Sequence, residues 1–134
     1  MVEITALPEN LKQLRLAVKD TLLESGVDIS VIEASQLSVG EAAMNIIEHG
    51  FDGGATEGRI ELEIGSNQDE LVFCLLDNAP SVAGKQFHPR KLDDIRPGGL
   101  GVHFMRELMD SVEFLPTGAA QGNVLEMRKR IRPA

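Results

Sequence analysis

Glu41, Asn45 and His49 recur every four residues in VIEASQLSVGEAAMNIIEHG, a spacing that stacks side chains on one face of a helix. A glutamate there can accept a proton from an attacking hydroxyl, and an asparagine carbonyl oxygen can ligate a hard divalent cation. A polar stripe opposite an apolar one also describes an ordinary solvent face, and both readings stand at this point. His49 suits capping the helix or bridging to a neighbouring carboxylate better than ligating a metal. A second carboxylate, Asp77, closes the apolar run LVFCLL. It is either held rigidly at a cleft or simply starts a turn with Asn78. The third feature is GGLG at 98–101, which contains Gly99, Leu100 and Gly101. Glycines permit close approach, and a following helix offers free N–H groups to phosphate oxygens; helix-entry geometry is the competing account. The segment is neither a dinucleotide fingerprint nor a P-loop, because it does not directly follow its strand and carries no lysine.

The elements that must position these groups follow from periodicity. VEITAL reads as an edge strand interrupted by Pro8, and Leu11, Leu14, Val18 and Leu22 mark a first helix that stops at Gly26. Asp28 or Ser30 caps the second helix, whose Ile32, Val39, Ala43, Ile46 and Ile47 face a core until Gly50 ends it. DGGATEG, 52–58, reads as a loop. RIELEI alternates as a sheet covered on one face, whereas LVFCLL is apolar on both faces and suits a more central strand, with SNQDE as the hairpin between them. A long Pro- and Gly-rich loop follows Asp77, which in a compact domain suggests a lid. A third helix starts near Leu100, and the strands SVEFL and VLEMRKRI end the chain. The order β-α-α-β-β-loop-α-β-β favours an α/β two-layer sandwich over a doubly wound parallel fold.

Composition narrows the classes further. The chain has 134 residues and a net charge of -8, which fits a single domain over 1–134 and opposes duplex nucleic-acid binding or adhesion to anionic lipid. Cys74 is the only cysteine, so no internal disulfide forms and a reducing, cytoplasmic setting is expected. No segment has the roughly 20 apolar residues needed to span a bilayer. With no Trp or Tyr and 5 Phe, stacking of single-stranded bases on aromatics is poorly supported.

Taken together, ENLKQLRLAV, EAAMNIIEHGF, LLDNAP, GGLGVHFMRELMD and GNVLEMRKR resemble, in order and spacing, the histidine-kinase-like ATPase superfamily, and within it the small anti-sigma-factor serine kinases. The resemblance spans nearly the whole chain. It implies a Bergerat-type fold with a mixed, mainly antiparallel sheet, a variable nucleotide lid at about 79–99, and ATP with Mg2+ bound between the polar helix and the glycine loop. By the same resemblance, Glu41 corresponds to the catalytic base, Asn45 to the magnesium ligand, and Asp77 to the carboxylate that reads the adenine amino group. Gly99 and Gly101 match the phosphate-lid motif around Leu100, Asn123 stands in the nucleotide site where threonine or serine is common, and Arg15 corresponds to a partner-contacting arginine of the first helix. Ala79 departs from a glycine usual two residues after the aspartate, which reduces backbone freedom and threatens to crowd the nucleotide.

The implied activity is transfer of the ATP γ-phosphate to a serine or threonine of an antagonist protein. A sigma factor is a further partner and homodimerisation is expected. Lys85, Arg90, Lys91 and Arg96 are candidate phosphate contacts in the lid or simply its solvated surface. The alternative is a catalytically weak ATP-responsive binding module, which Ala79 keeps open. A complete sensor histidine kinase is not expected, because no helices supply a phosphohistidine-bearing dimerisation region, and His88 and His103 suit hydrogen bonding or lid packing better.

Overall fold

The computed structural model describes residues 1–67, 69–79, 108–115 and 122–131. Strand β1 (Val2–Ala6) gives way at Pro8 to a single 3-10 turn, Pro8–Asn10, which feeds α1 (Leu11–Glu24). Proline suits the first turn of a helix because it has no N–H to leave unpaired there. Leu11, Leu14, Val18 and Leu22 of α1 are all buried, as their spacing requires. Gly26, at φ 71°, ends the helix in a left-handed turn. Asp28 then caps α2 (Ile29–Asn45), its carboxylate accepting the Ser30 N–H at 3.0 Å.

Four strands follow: β2 (Ala55–Ser66), β3 (Glu70–Asp77), β4 (Ser111–Leu115) and β5 (Asn123–Arg130). They form one sheet with β1 in the order β1-β2-β3-β5-β4. All four pairings are antiparallel, so among the described residues the sheet is antiparallel throughout and not mixed. Residues in register share a face. Ile4 with Ile60, Leu62 with Leu75 and Phe73 with Met127 therefore line up beneath the helices, and all six are buried. The result is two layers, α1 and α2 on one side of the sheet, with a core of aliphatic side chains around Phe73. The opposite face is polar along β2 and carries Cys74, whose thiol is held protonated by burial first and by the nearby Glu126 and Glu63 carboxylates second.

The doubly apolar LVFCLL is indeed the middle strand of the five. DGGATEG departs from expectation, because β2 starts at Ala55 and claims residues 55–58. Pairing with β1 overrides the local glycine content: a register shift between Thr5 and Ala6 brings Ala6 opposite Ala55. Only Asp52, Gly53 and Gly54, all at positive φ, remain to reverse the chain. The third helix expected from Leu100 lies outside the described residues except at its end. There the Leu108 carbonyl accepts the Lys129 ammonium at 2.6 Å and the Asp110 N–H bonds the Arg128 carbonyl at 2.8 Å, tying that end to β5. No helix among the described residues is long and apolar enough to cross a membrane.

Gly58 is required by packing. A Cβ there would lie 2.8 Å from both the Ala6 methyl and the Phe51 ring, whereas one at Gly65 would meet nothing within 4 Å. Gly58→Ala is expected to cost about 1–3 kcal/mol through overpacking, and Gly65→Ala to leave stability within about 0.5 kcal/mol of the parent. Urea unfolding of the two variants side by side checks both expectations.

Candidate functional site

Helix α2 packs alongside α1 in the helix layer, and its buried residues include Ser35, Ser38 and Gly40 as well as the expected aliphatics. The polar stripe is not a uniform solvent face. Glu41 is half-buried, Asn45 is 6% exposed and His49 is exposed. A carboxamide at that depth is a structural or functional commitment, since buried polar groups must find hydrogen-bonding partners.

The stripe also bends at its end. After Asn45 the helix continues for one turn of π-helix, Ile46–Gly50. Its i to i+5 bonding places more residues in each turn than an α-helix does, a rare form that is frequent at functional sites. His49 is thereby rotated off the line set by Glu41 and Asn45. Its Nε2 lies 3.9 Å from the Glu48 carboxylate, a contact at an exposed surface. The helix closes when the N–H groups of Phe51 and Gly53 both bond the Ile47 carbonyl, at 3.2 and 2.9 Å.

Asp77 ends β3 in register with Ile60 and Asn123, on the face that the helices cover. Its Oδ1 accepts two hydrogen bonds, from the Ala79 N–H at 2.9 Å and from the Asn123 amide at 3.0 Å. Its Oδ2 has no hydrogen-bond partner among the described residues. Burial raises the pKa of the carboxyl, and the bonds from Asn123 and Ala79 pull it partly back down. Asn78 fixes the turn from the other side. Its Oδ1 accepts the Arg59 N–H at 2.7 Å, and its amide reaches the Glu57 carbonyl at 3.3 Å.

The turn after β3 abuts the end of the π segment: a Cβ added at Gly50 would lie 3.0 Å from that of Ala79. Ala79 is 1% exposed and does not have positive φ. Its methyl thus packs onto the helix end, and its N–H still serves Asp77. Gly122, at φ 94°, precedes Asn123, and any Cβ there would fall 2.1 Å from the Asp77 carbonyl oxygen. The sequence singles out neither Gly122 nor Asn78 as a positioning residue, although the signals are a glycine just before a strand and an asparagine just after the strand-ending aspartate.

Arg15 projects from α1 across α2, its Nη1 3.3 Å from where a Gly40 Cβ would sit, next to Glu41. Its carbonyl accepts the Gln36 amide at 3.1 Å, and its side chain is exposed. The structure thus brings Asp77 and Asn123 into contact and places the end of the helix bearing Glu41 and Asn45 against their turn. Gly99, Leu100 and Gly101, the four basic lid residues, His88 and His103 lie outside the described residues. Among the described residues no three His, Cys, Asp or Glu side chains cluster to hold a metal ion. Asn45, with Glu41 one turn earlier, is a donor set suited to Mg2+ when most of the ion's ligands are water and phosphate oxygens.

Asp77 links the site to stability. A carboxyl whose folded pKa is raised contributes stability that is fully present below its unfolded value and lost as pH rises through the folded value. At neutral pH the ionised group is therefore a cost. Asp77→Asn is expected to raise the melting temperature at pH 7, with the gain shrinking toward pH 4, as thermal scans at both pH values would show. Gly122→Ala should destabilise by at least about 1–3 kcal/mol from backbone strain alone, measurable by urea unfolding, because the new methyl drives β5 away from Asp77.

A family model described as a histidine kinase-like ATPase domain matches residues 4–129. The serine-protein kinase RsbW of Bacillus licheniformis is 28% identical over 115 residues, which cover 80% of this chain and 71% of the relative. RsbW of Bacillus subtilis is 25% identical over 119 residues, covering 83% and 75%. Among solved structures, the catalytic domain of histidine kinase ThkA matches with a TM-score of 0.57 at 12% identity, over 99% of this chain and 98% of that one. The histidine kinase domain from the Erythrobacter litoralis EL346 blue-light activated histidine kinase gives 0.56 at 18% identity, over 96% of this chain and 62% of that one. At such identities the two structures speak to the fold alone.

Proposed function

The chain belongs to the histidine kinase-like ATPase domain family, and from that premise we propose that it is an ATP-dependent serine/threonine protein kinase and anti-sigma regulatory factor. The observation that carries the nucleotide part is Asp77. A buried carboxylate at the end of the middle strand, with one oxygen tied down and the other left without a partner among the described residues, suits the amino group of adenine. The protein-kinase part rests on the RsbW relatives, which are serine-protein kinases by name. The anti-sigma part rests on the motif resemblance.

In this reading Asp77 and Asn123 hold the base, and Asn45 would hold the Mg2+ that accompanies ATP. The ion neutralises charge on the phosphate oxygens. Glu41 takes the proton of the partner's serine or threonine hydroxyl as its oxygen bonds to the γ-phosphorus, and the bond to ADP breaks. Gly99, Leu100 and Gly101 would supply backbone donors to the phosphates, at the end of a lid spanning about 79–99 of a single domain, 1–134. Arg15, exposed beside the Glu41 turn, meets the antagonist protein or a sigma factor. Phosphorylation of the antagonist adds about -1.5 to -2 charge and so changes which complex persists. The protein acts in the cytoplasm as a homodimer. Ala79 offers the weak-module alternative little support, since its methyl is buried against the helix end and its N–H keeps the aspartate bond.

The test is phosphotransfer from Mg-ATP to a co-purifying antagonist. Glu41→Ala is expected to lower the rate by about 100-fold or more while ATP binding persists. Nucleotide-dependent partner binding without transfer in the parent protein would identify a binding module instead.

A further inference from the structure

We infer that Gly40 is a positioning residue: by lacking a side chain it lets Arg15 of α1 lie across α2 as a pre-set cation at the Glu41 turn, ready for an acidic group of the protein partner. The inference rests on the partner role proposed for Arg15 above. Glycine weakens a helix interior, because it loses more backbone freedom there than any other residue. It is needed where φ is positive or where a Cβ has no room. Gly40 lies well inside α2 and is not among the glycines at positive φ, so the backbone makes no demand for it. Space is the remaining reason. The three atoms nearest a Cβ at that position all belong to Arg15: Nη1 at 3.3 Å, Cδ at 3.4 Å and Cγ at 3.6 Å.

Nothing in the fold uses the charge that this arrangement holds. Arg15 is exposed, and among the described residues its guanidinium has no hydrogen-bond or ion-pair partner, in a chain of net charge -8. The aliphatic stem lies on the helix while the head stays in water. Gln36, one turn before Gly40 on the same face of α2, donates its amide to the Arg15 carbonyl at 3.1 Å. Two residues of α2 thus address one arginine, its backbone and its side chain. A long cation ordinarily loses rotamer freedom when it meets an anion, and one already laid along a groove loses less, an advantage of about 3- to 10-fold in affinity. Because Gly40 immediately precedes Glu41, an acidic partner group held by Arg15 brings the partner to the turn that carries the proposed base.

Two variants separate the groove from the fold. Gly40→Ala presses only on a flexible side chain, and Gly40→Met fills the place where the arginine stem lies. Gly40→Ala should melt no lower than the parent, since alanine favours a helix over glycine, and Mg-ATP affinity should stay within about twofold in both variants. In the parent, the heteronuclear NOE of the Arg15 Nε–H should report an ordered side chain, and Gly40→Met should release it toward the value of a free arginine. By calorimetry with the co-purifying antagonist, Gly40→Met should weaken binding about 3- to 10-fold and add nothing in an Arg15→Ala background. An equal loss in both backgrounds overturns the inference. So does an Arg15 signal indifferent to residue 40, or a lower melting temperature in Gly40→Ala, which would assign the glycine to packing. If Arg15→Ala leaves antagonist binding intact while the NOE still depends on residue 40, the partner role of Arg15 fails and its positioning by Gly40 stands.

Discussion

The site depends on one hydrogen-bonded junction, in which Asp77 Oδ1 draws together the turn after β3 and the first residue of β5. Burial works against an ionised carboxylate, and the two donors offset part of that cost. Remove them and the same depth would drive the group toward its neutral form, which accepts fewer hydrogen bonds. The junction also needs an absence. Gly122 brings the β5 backbone so close to the Asp77 carbonyl that no side chain fits between. Charge, register and the missing Cβ all serve the same few atoms.

The helix layer is built to meet that junction. Asp28 fixes where α2 starts and the aliphatic core fixes which face is inward, so the depth of Asn45 is decided well before the helix reaches it. The π turn then widens the helix as it arrives beside Ala79, with Gly50 supplying the clearance. A group of residues four apart therefore divides: Glu41 and Asn45 stay on the α-helical line, and His49 leaves it for the surface.

Where burial patterns dominate, the elements were legible from the amino acids. Leu11, Leu14, Val18 and Leu22 could only be a helix stripe, and the doubly apolar LVFCLL could only sit between other strands. Legibility failed where a partner distant in sequence decides the local form. Ala55–Gly58 looks like loop and is counted as strand because Ala6 pairs with Ala55 across a register shift, and nothing in IIEHG announces i to i+5 bonding. Of the site, the strand-end carboxylate and the Glu41–Asn45 spacing could be read directly. The contact between Asp77 and Asn123 could not, since those residues stand 46 apart and meet only through the β3–β5 register.

Ala79 illustrates how a departure from a family pattern is absorbed. Glycine after a strand-ending aspartate is usually read as a demand for backbone freedom, so a methyl group there suggests damage. The demand holds only where φ is positive or where space is lacking. Neither applies here: the backbone at 79 is not left-handed, and the methyl is received by Gly50 on the facing helix end. What the turn needs from residue 79 is its N–H, which every residue but proline provides. The requirement for glycine thus falls on residue 50, where a second methyl would meet the first at 3.0 Å, and the clearance between helix and turn becomes a property of the pair.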